Sequence, residues 1–89
     1  METPANVLVV YRIANSHSRS MFRHVLGEAG AVRVGGNVFE LDIEGWQPDD
    51  WSHLLWQMAE WVNDATDVVL VWQVVDGRLV RSAVTGRDD

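Results

Sequence analysis

The feature that most restricts the fold is an apolar run near the start of the chain, VLVVYRI at residues 7–13. Successive side chains of a strand point to opposite faces of a sheet, so a run that is apolar on both faces is typical of a central strand. We therefore expect residues 7–13 to form the centre of a sheet. Arg12 interrupts the run, and a charge at the end of a buried strand is costly unless another group compensates it.

A helix is predicted after this strand. Its apolar face is formed by Met21, Phe22, Val25, Leu26 and Ala29, which recur at helical spacing. Ser16 or Ser18 is the expected N-cap, and Gly30 is the expected stop. Arg19 and Arg23 lie four residues apart on the other side of the same helix.

The segment AVRVGGNVFELDI predicts a hairpin. Gly35 and Gly36 are expected to supply the positive backbone dihedral angles of a tight turn. In the strand that follows, apolar residues from Phe39 onward alternate with Glu40 and Asp42, so one side of this strand is acidic. That side should face solvent or a partner.

Pro48 suits the first turn of a second helix, where Asp49 and Asp50 are favourable at the positive end of the helix dipole. The apolar stripe of this helix consists of Trp51, Leu54, Leu55, Met58, Trp61 and Val62. Trp56 lies well off that stripe. A tryptophan in such a position is a candidate anchor for a protein–protein contact.

The segment TDVVLVWQVV predicts a fourth strand, Asp76-Gly77 a hairpin turn, and residues 79–84 a fifth strand. The order βαββαβ predicts a ferredoxin-like α+β domain, an antiparallel sheet with both helices on one face. We expect one domain over residues 1–89 with a core at about 6–75. The additional C-terminal strand, at about 78–85, is expected to pair at an edge and to lie at a dimer interface.

Composition excludes several classes of protein. The chain has 89 residues and a net charge of −6. It contains no cysteine, so disulfides and thiolate metal sites are excluded. No secretory signal or membrane-length apolar run is present in this sequence, and we expect a cytoplasmic protein that does not enter membranes. Charge is unevenly distributed: residues 1–37 carry four arginines against two acids, whereas residues 38–67 carry eight acids and no base.

Several short motifs resemble those of the CRISPR-associated protein two family. They are a first strand ending VVYRI, a helix with spaced arginines, a glycine at Gly30, and then NVFEL after a turn. The resemblance extends from Val7 to about Val84. It implies a homodimer with a ferredoxin-like fold that acts in CRISPR adaptation, a form of antiviral defence, by bridging integrase subunits and holding duplex DNA.

The chain departs from that family at one informative position. Some members are described as metal-dependent endonucleases that use an aspartate at the end of the first strand, where this chain has Arg12. Arginine has five hydrogen-bond donors and no acceptor, so it is not a ligand for Mg²⁺. We expect neither a catalytic residue nor a metal site, and no cofactor. Arg12 would instead pair with a phosphate or with an acid such as Glu40.

The candidate nucleic-acid contacts are Arg12, Arg19, Arg23 and Arg33; the alternative is an ordinary solvated surface. The candidate protein-docking residues are Glu40, Asp42, Glu44 and Trp56; the alternative for the three acids is the solvent face of an edge strand. Two other functions stay open. One is a nuclease in which Glu40 or Asp42 holds Mg²⁺, and the other is an interaction module of the toxin–antitoxin type.

Overall fold

A computed structural model describes residues 6–86. The elements, in chain order, are β1 (Val7–Arg12), α1 (Ser16–Glu28), β2 (Val32–Gly35), β3 (Val38–Leu41), α2 (Pro48–Ala59), β4 (Val68–Val75) and β5 (Arg78–Ala83). This is the predicted βαββαβ order with one strand added. The fold is α+β and agrees with a ferredoxin-like domain that has an extra strand.

The five strands form one antiparallel sheet in the order β2-β3-β1-β4-β5. β1 is its central strand, as predicted, and it pairs with β3 on one side and with β4 on the other. β5 pairs along its whole length with β4 of the same chain, from Val75 opposite Arg78 to Leu70 opposite Ala83. The sheet edges are therefore β2 and β5.

The core lies between the sheet and the two helices. Val9 of β1 and Val71 of β4 are fully buried, and both contribute to the same cluster as Phe22 and Leu26 of α1 and Met58 of α2. Helical spacing brings the apolar residues of each helix onto one face, and strand alternation does the same for the sheet. Most of the predicted apolar face of each helix is confirmed. The exceptions are Met21, which lies outside the core cluster, and Trp61 and Val62, which pack in the core but follow the end of α2 at Ala59.

The ends of α1 are set by local hydrogen bonds. The N-cap is Asn15 rather than Ser16 or Ser18, because the Asn15 side chain accepts a hydrogen bond from the backbone N–H of Ser18 at 2.9 Å. Gly30 has a φ of 91° and follows the last turn. There Ala31 N–H donates to the Leu26 carbonyl at 3.0 Å, which is the long bond of a Schellman motif. Gly30 is thus the stop that the sequence predicts.

The structure confirms one of the two predicted hairpin turns and corrects the other. Asp76 and Gly77 have φ values of 50° and 75°, so the predicted tight turn between β4 and β5 is confirmed. The prediction for the first hairpin is wrong by one residue: Gly35 belongs to β2, and the turn is formed by Gly36 and Asn37. None of these three residues has a positive φ, because a register shift in β2 next to Gly35 changes the path of the chain instead.

The second face of the sheet is open. The sequence suggests that β1 is covered on both faces, but Leu8, on the face away from the helices, is 38% exposed. Neighbouring apolar residues on that face are more exposed still, with Val68 at 53% and Leu79 at 64%. Both helices pack on the opposite face, and the described part of the chain has no third layer.

The segment after β5 returns to the core. Val84 N–H donates to the Val69 carbonyl at 3.0 Å, and the Val84 side chain packs against the core cluster. Gly86 N–H donates to the Asp64 carboxylate at 2.6 Å. These bonds hold the residues after β5 against β4 and the loop between α2 and β4. Neither helix within residues 6–86 has the length and apolarity that a membrane crossing requires.

We expect Gly86→Ala to lower the free energy of unfolding by about 1–3 kcal/mol, since a Cβ there would overlap the backbone carbonyl of Val62. Urea denaturation followed by tryptophan fluorescence measures the change. The matched control is Gly27→Ala in α1, where the added methyl group meets no atom. That variant should gain about 0.5–1 kcal/mol. Equal stability of the two variants would contradict the close packing of Gly86.

Candidate nucleic-acid interface

The end of β1 and the first turns of α1 bring arginines close to one another. The Arg19 guanidinium donates a hydrogen bond from Nη1 to the Ile13 carbonyl at 3.0 Å. This bond crosses the short loop between β1 and α1 and turns the Arg19 side chain toward the end of the strand. Arg12 is the last residue of β1, and its side chain is exposed.

Arg23 is held by Tyr11. Its Nε donates to the Tyr11 hydroxyl at 2.7 Å, and its guanidinium carbon lies 5.7 Å from the centre of the tyrosine ring. The same hydroxyl donates weakly to the Gly36 carbonyl at 3.5 Å. Arg33 also donates to that carbonyl, from Nη2 at 2.8 Å, and to the Gly35 carbonyl from Nε at 3.1 Å. Arg23 and Arg33 are thus linked through the turn between β2 and β3.

Three of the four predicted arginines line one cleft. Arg12, Arg19 and Arg23 border an open cleft of about 520 Å³, together with Asn37 and with the loop residues after Arg12. Arg33 does not line it, because its side chain folds back onto the turn. The structure therefore brings Arg12, Arg19 and Arg23 together and places Arg33 behind the cleft, across the Gly36 carbonyl.

The positive charges of this cleft are not neutralised by nearby acids. Within residues 6–86, none of the four arginines forms an ion pair with a carboxylate. Glu40, the acid suggested as a partner for Arg12, lies opposite Leu8 and not opposite Arg12. Four residues along β1 separate Leu8 from Arg12, which corresponds to about 13 Å. The cleft is consequently a concentrated positive patch on a chain whose net charge is negative.

A carboxylate outside the cleft fixes the β1–α1 loop, which contributes to the lining of the cleft. Asp67, just before β4, accepts hydrogen bonds from Ala14 N–H at 2.9 Å and from Asn63 N–H at 2.8 Å, and also from the Thr66 hydroxyl at 3.0 Å. Partial burial raises the pKa of the Asp67 carboxyl, but these hydrogen bonds lower it by more, so the pKa lies below its usual value. Asp67 thereby ties the β1–α1 loop to the α2–β4 loop.

The four predicted protein-docking residues do not form one surface. Glu40 is exposed on the open face of the sheet, whereas Trp56 is 58% exposed on α2, in the helix layer. Asp42 and Glu44 do not continue the strand, because β3 ends at Leu41. The Asp42 carboxylate instead accepts a hydrogen bond from Glu44 N–H at 2.9 Å and so organises the loop before α2.

Possible metal ligands are scattered. No group of three or more histidine or acidic side chains that could hold a metal ion occurs within residues 6–86. His24 Nε2 lies 3.7 Å from the Glu28 carboxylate, and the His17 ring packs edge-on against Trp61. The exposed end of β1, where the resembled family has aspartate, carries the Arg12 guanidinium.

Sequence reasoning missed two residues that shape the site. Tyr11 occupies an inward position in β1 and packs against Phe22 and Phe39, so in the sequence it reads as an ordinary core residue. Asp67 precedes a strand, a position that gives no sign of its three hydrogen bonds. A signal was available only for Tyr11, since a buried tyrosine hydroxyl needs a hydrogen-bond partner.

Comparison with protein-family models, with curated proteins and with solved structures finds no match to this chain. The function proposed below is therefore argued from the geometry and charge of the cleft and from the motifs of the sequence.

Asp67→Asn should lower the free energy of unfolding by about 1–3 kcal/mol at neutral pH, because one acceptor oxygen is replaced by a donor that faces a backbone N–H. The pKa of Asp67 is lower in the folded than in the unfolded protein. The ionised Asp67 carboxylate therefore stabilises the folded protein above the unfolded pKa, about 3.9. This stabilisation is lost as the pH falls through the pKa of the folded protein. Urea denaturation should show that the native protein and Asp67→Asn differ less in free energy of unfolding below about pH 4.

The matched control for that experiment is Glu44→Gln, which alters an exposed carboxylate in a loop. It should change the stability by less than about 0.5 kcal/mol at any pH. The role of the ionised carboxylate would be contradicted if the free energies of unfolding of the native protein and Asp67→Asn differed by the same amount throughout the acid range.

Proposed function

We propose that this protein is a CRISPR adaptation scaffold, a homodimer that binds duplex DNA and an integrase subunit and has no nuclease site of its own. The observation that carries the proposal is the cleft at the end of β1, where Arg12, Arg19 and Arg23 converge without a carboxylate partner within residues 6–86. The motifs shared with the CRISPR-associated protein two family supply the biological setting.

The cleft suits the phosphate groups of a nucleic-acid backbone. A guanidinium binds phosphate through paired N–H groups in a planar fork, and such contacts position a duplex without reading its sequence. Arg19 uses Nη1 and Arg23 uses Nε for internal hydrogen bonds, so both side chains are oriented before a ligand arrives. Their remaining N–H groups are the donors for a phosphate. Pre-oriented side chains lose less conformational entropy on binding.

We propose a scaffold rather than a nuclease because the end of β1 offers no suitable ligand for a metal ion. Arg12 brings a permanent positive charge to the position where a metal-dependent member would need a carboxylate. Of the two displaced carboxylates considered, Asp42 is engaged in its own loop and Glu40 lies about 13 Å away along the sheet. Positive charge at the cleft favours binding a phosphate over holding Mg²⁺.

Two other surfaces support the proposed protein partners. The open apolar face of the sheet needs a cover, and a second copy of the chain supplies one. Trp56 projects from α2 beside the residues after β5, in a groove that also includes Leu55 and Val84. Exposed tryptophan is enriched in protein–protein contacts, and we assign Trp56 and the acidic loop of Asp42 and Glu44 to the integrase.

The proposal predicts salt-sensitive binding of duplex DNA that depends on Arg12. Arg12→Ala should weaken the affinity for a short fluorescein-labelled duplex about threefold to tenfold and reduce the slope of log K against log salt by about one. Arg12 makes no internal hydrogen bond within residues 6–86, so this variant should keep its stability. Fluorescence anisotropy across a salt series measures both quantities.

The control variant is Arg78→Ala, which removes the same charge from the opposite end of the sheet. Val68 lies opposite Arg12 and Val75 opposite Arg78, and the two are about 23 Å apart along β4. Equal losses in both variants would indicate a nonspecific charge effect and contradict the site. Absence of binding at low salt would favour the interaction-module alternative, and cutting that requires Mg²⁺ and stops with a chelator would favour the nuclease.

A further inference from the structure

A second cleft, which we call the polar cleft, lies beside the arginine cleft of Arg12, Arg19 and Arg23. It has a volume of about 510 Å³ and lies between the start of α1 and the loop that joins α2 to β4. Ala14 lines both clefts. Ser18 borders the polar cleft, and Arg19, the next residue of α1, borders the arginine cleft. Only the backbone of one helical turn, about 5 Å across, separates the two clefts there.

Two asparagine side chains supply hydrogen-bond donors to the polar cleft. Asn15 Oδ1 accepts a hydrogen bond from Ser18 N–H, and Asn63 Oδ1 accepts one from Ala65 N–H, both at 2.9 Å. Because the oxygen of each amide is engaged, the amide has one orientation, and its amino group is left as a donor of two hydrogen bonds. Both residues border the cleft, and neither amino group has a partner within residues 6–86.

Trp61 provides an aromatic surface in the same cleft. Its side chain is half-buried, because part of it packs against the core cluster and the His17 ring contacts it edge-on. The rest of the Trp61 surface borders the cleft. Every nucleobase has a flat aromatic face, and stacking on an aromatic side chain binds such a face without regard to sequence.

The charges of the polar cleft decide between a second phosphate group and a base. Glu60 and Asp67 both border it, and none of the arginines within residues 6–86 does. Two carboxylates would repel a phosphate group. A nucleobase is neutral, and its edges carry both hydrogen-bond acceptors and donors. The amide donors and the carboxylate acceptors of the cleft therefore suit a base and not a phosphate.

We infer that the polar cleft binds one unpaired base of a DNA strand whose phosphate lies in the arginine cleft. The inference rests on the DNA binding of the proposed function and adds a preference for DNA in which a base is free. A paired base offers neither its face nor its pairing edge, because the duplex occupies both. Base and phosphate are then held on two sides of the β1–α1 loop, which Asp67 fixes through Ala14 N–H.

The test compares two fluorescein-labelled duplexes that carry a short unpaired extension on each strand at one end. In one probe the extension has thymine bases, and in the other it is abasic. Both probes carry the same phosphates, so counterion release contributes equally and the ratio of the two affinities reports the bases. Fluorescence anisotropy at moderate salt should show that the thymine probe binds at least about fivefold more tightly.

Asn15→Ser and Asn63→Ser remove the amino donors without a change of charge. Serine is as good an N-cap as asparagine, so a hydroxyl at position 15 still accepts the hydrogen bond from Ser18 N–H. At position 63 a hydroxyl makes the same kind of turn more weakly. Each variant should lower the affinity ratio about twofold to fivefold, and the double variant should bring it below about twofold.

The matched control is Asn6→Ser, at the opposite end of β1. Asn6 Oδ1 accepts a hydrogen bond from Ile43 N–H at 3.0 Å, so its amide has the same arrangement as the other two. Six residues of extended strand separate Asn6 from Arg12, which corresponds to about 20 Å. This variant should leave the affinity ratio unchanged. Circular dichroism of each variant confirms that it is folded.

The outcomes separate this inference from the function on which it rests. Equal affinity of the native protein for the two probes overturns the base-binding cleft and leaves the DNA-binding role standing. A preference for thymine that survives in the double variant, or that Asn6→Ser also abolishes, overturns the assignment of the base to the polar cleft. Failure to bind either probe at low salt overturns both the inference and the proposed DNA binding.

Discussion

The whole arrangement depends on burial of the inner face of β1. Val9 and Tyr11 sit at the centre of the core with the helices above them, and β1 pairs with a neighbour on each side, so every other element is positioned relative to this strand. The hydrophobic effect fixes which face of β1 points to the helices. The same orientation of β1 directs Leu8 and Arg12 outward, which gives rise to the open face of the sheet and to the arginine cleft.

Tyr11 connects the core to the proposed DNA-binding cleft. Its ring packs against Phe22 and Phe39, while its hydroxyl at the rim of the core receives the hydrogen bond from Arg23. The arginine is consequently anchored to a residue of the buried core. On the other side of the loop, Asp67 holds the backbone of Ala14. The cleft is thus built on a fixed scaffold, as a site that binds phosphate without large rearrangement requires.

The two surfaces differ in chemistry, and we propose different partners for them. The cleft concentrates permanent positive charge at one end of β1. The open face is apolar at its centre, with Glu40 on one side, Arg81 on the other and Arg12 at the end of β1. The DNA binding proposed for the cleft would weaken along a salt series, because it releases counterions from DNA. Added salt would affect contacts of the open face much less, because burial of apolar surface dominates there. Salt dependence therefore distinguishes DNA binding from self-association in one preparation.

The sequence by itself determined the features that depend on local patterns. The order of elements, the apolar helix faces, the Gly30 stop and the Asp76-Gly77 turn follow from residue spacing and backbone preference, which act over a few residues. Tertiary structure decided what depends on register between distant segments. It placed Glu40 beside Leu8 instead of Arg12, joined Arg23 to Tyr11, and left one face of β1 open, because strand pairing and core packing bring together residues that no local pattern relates.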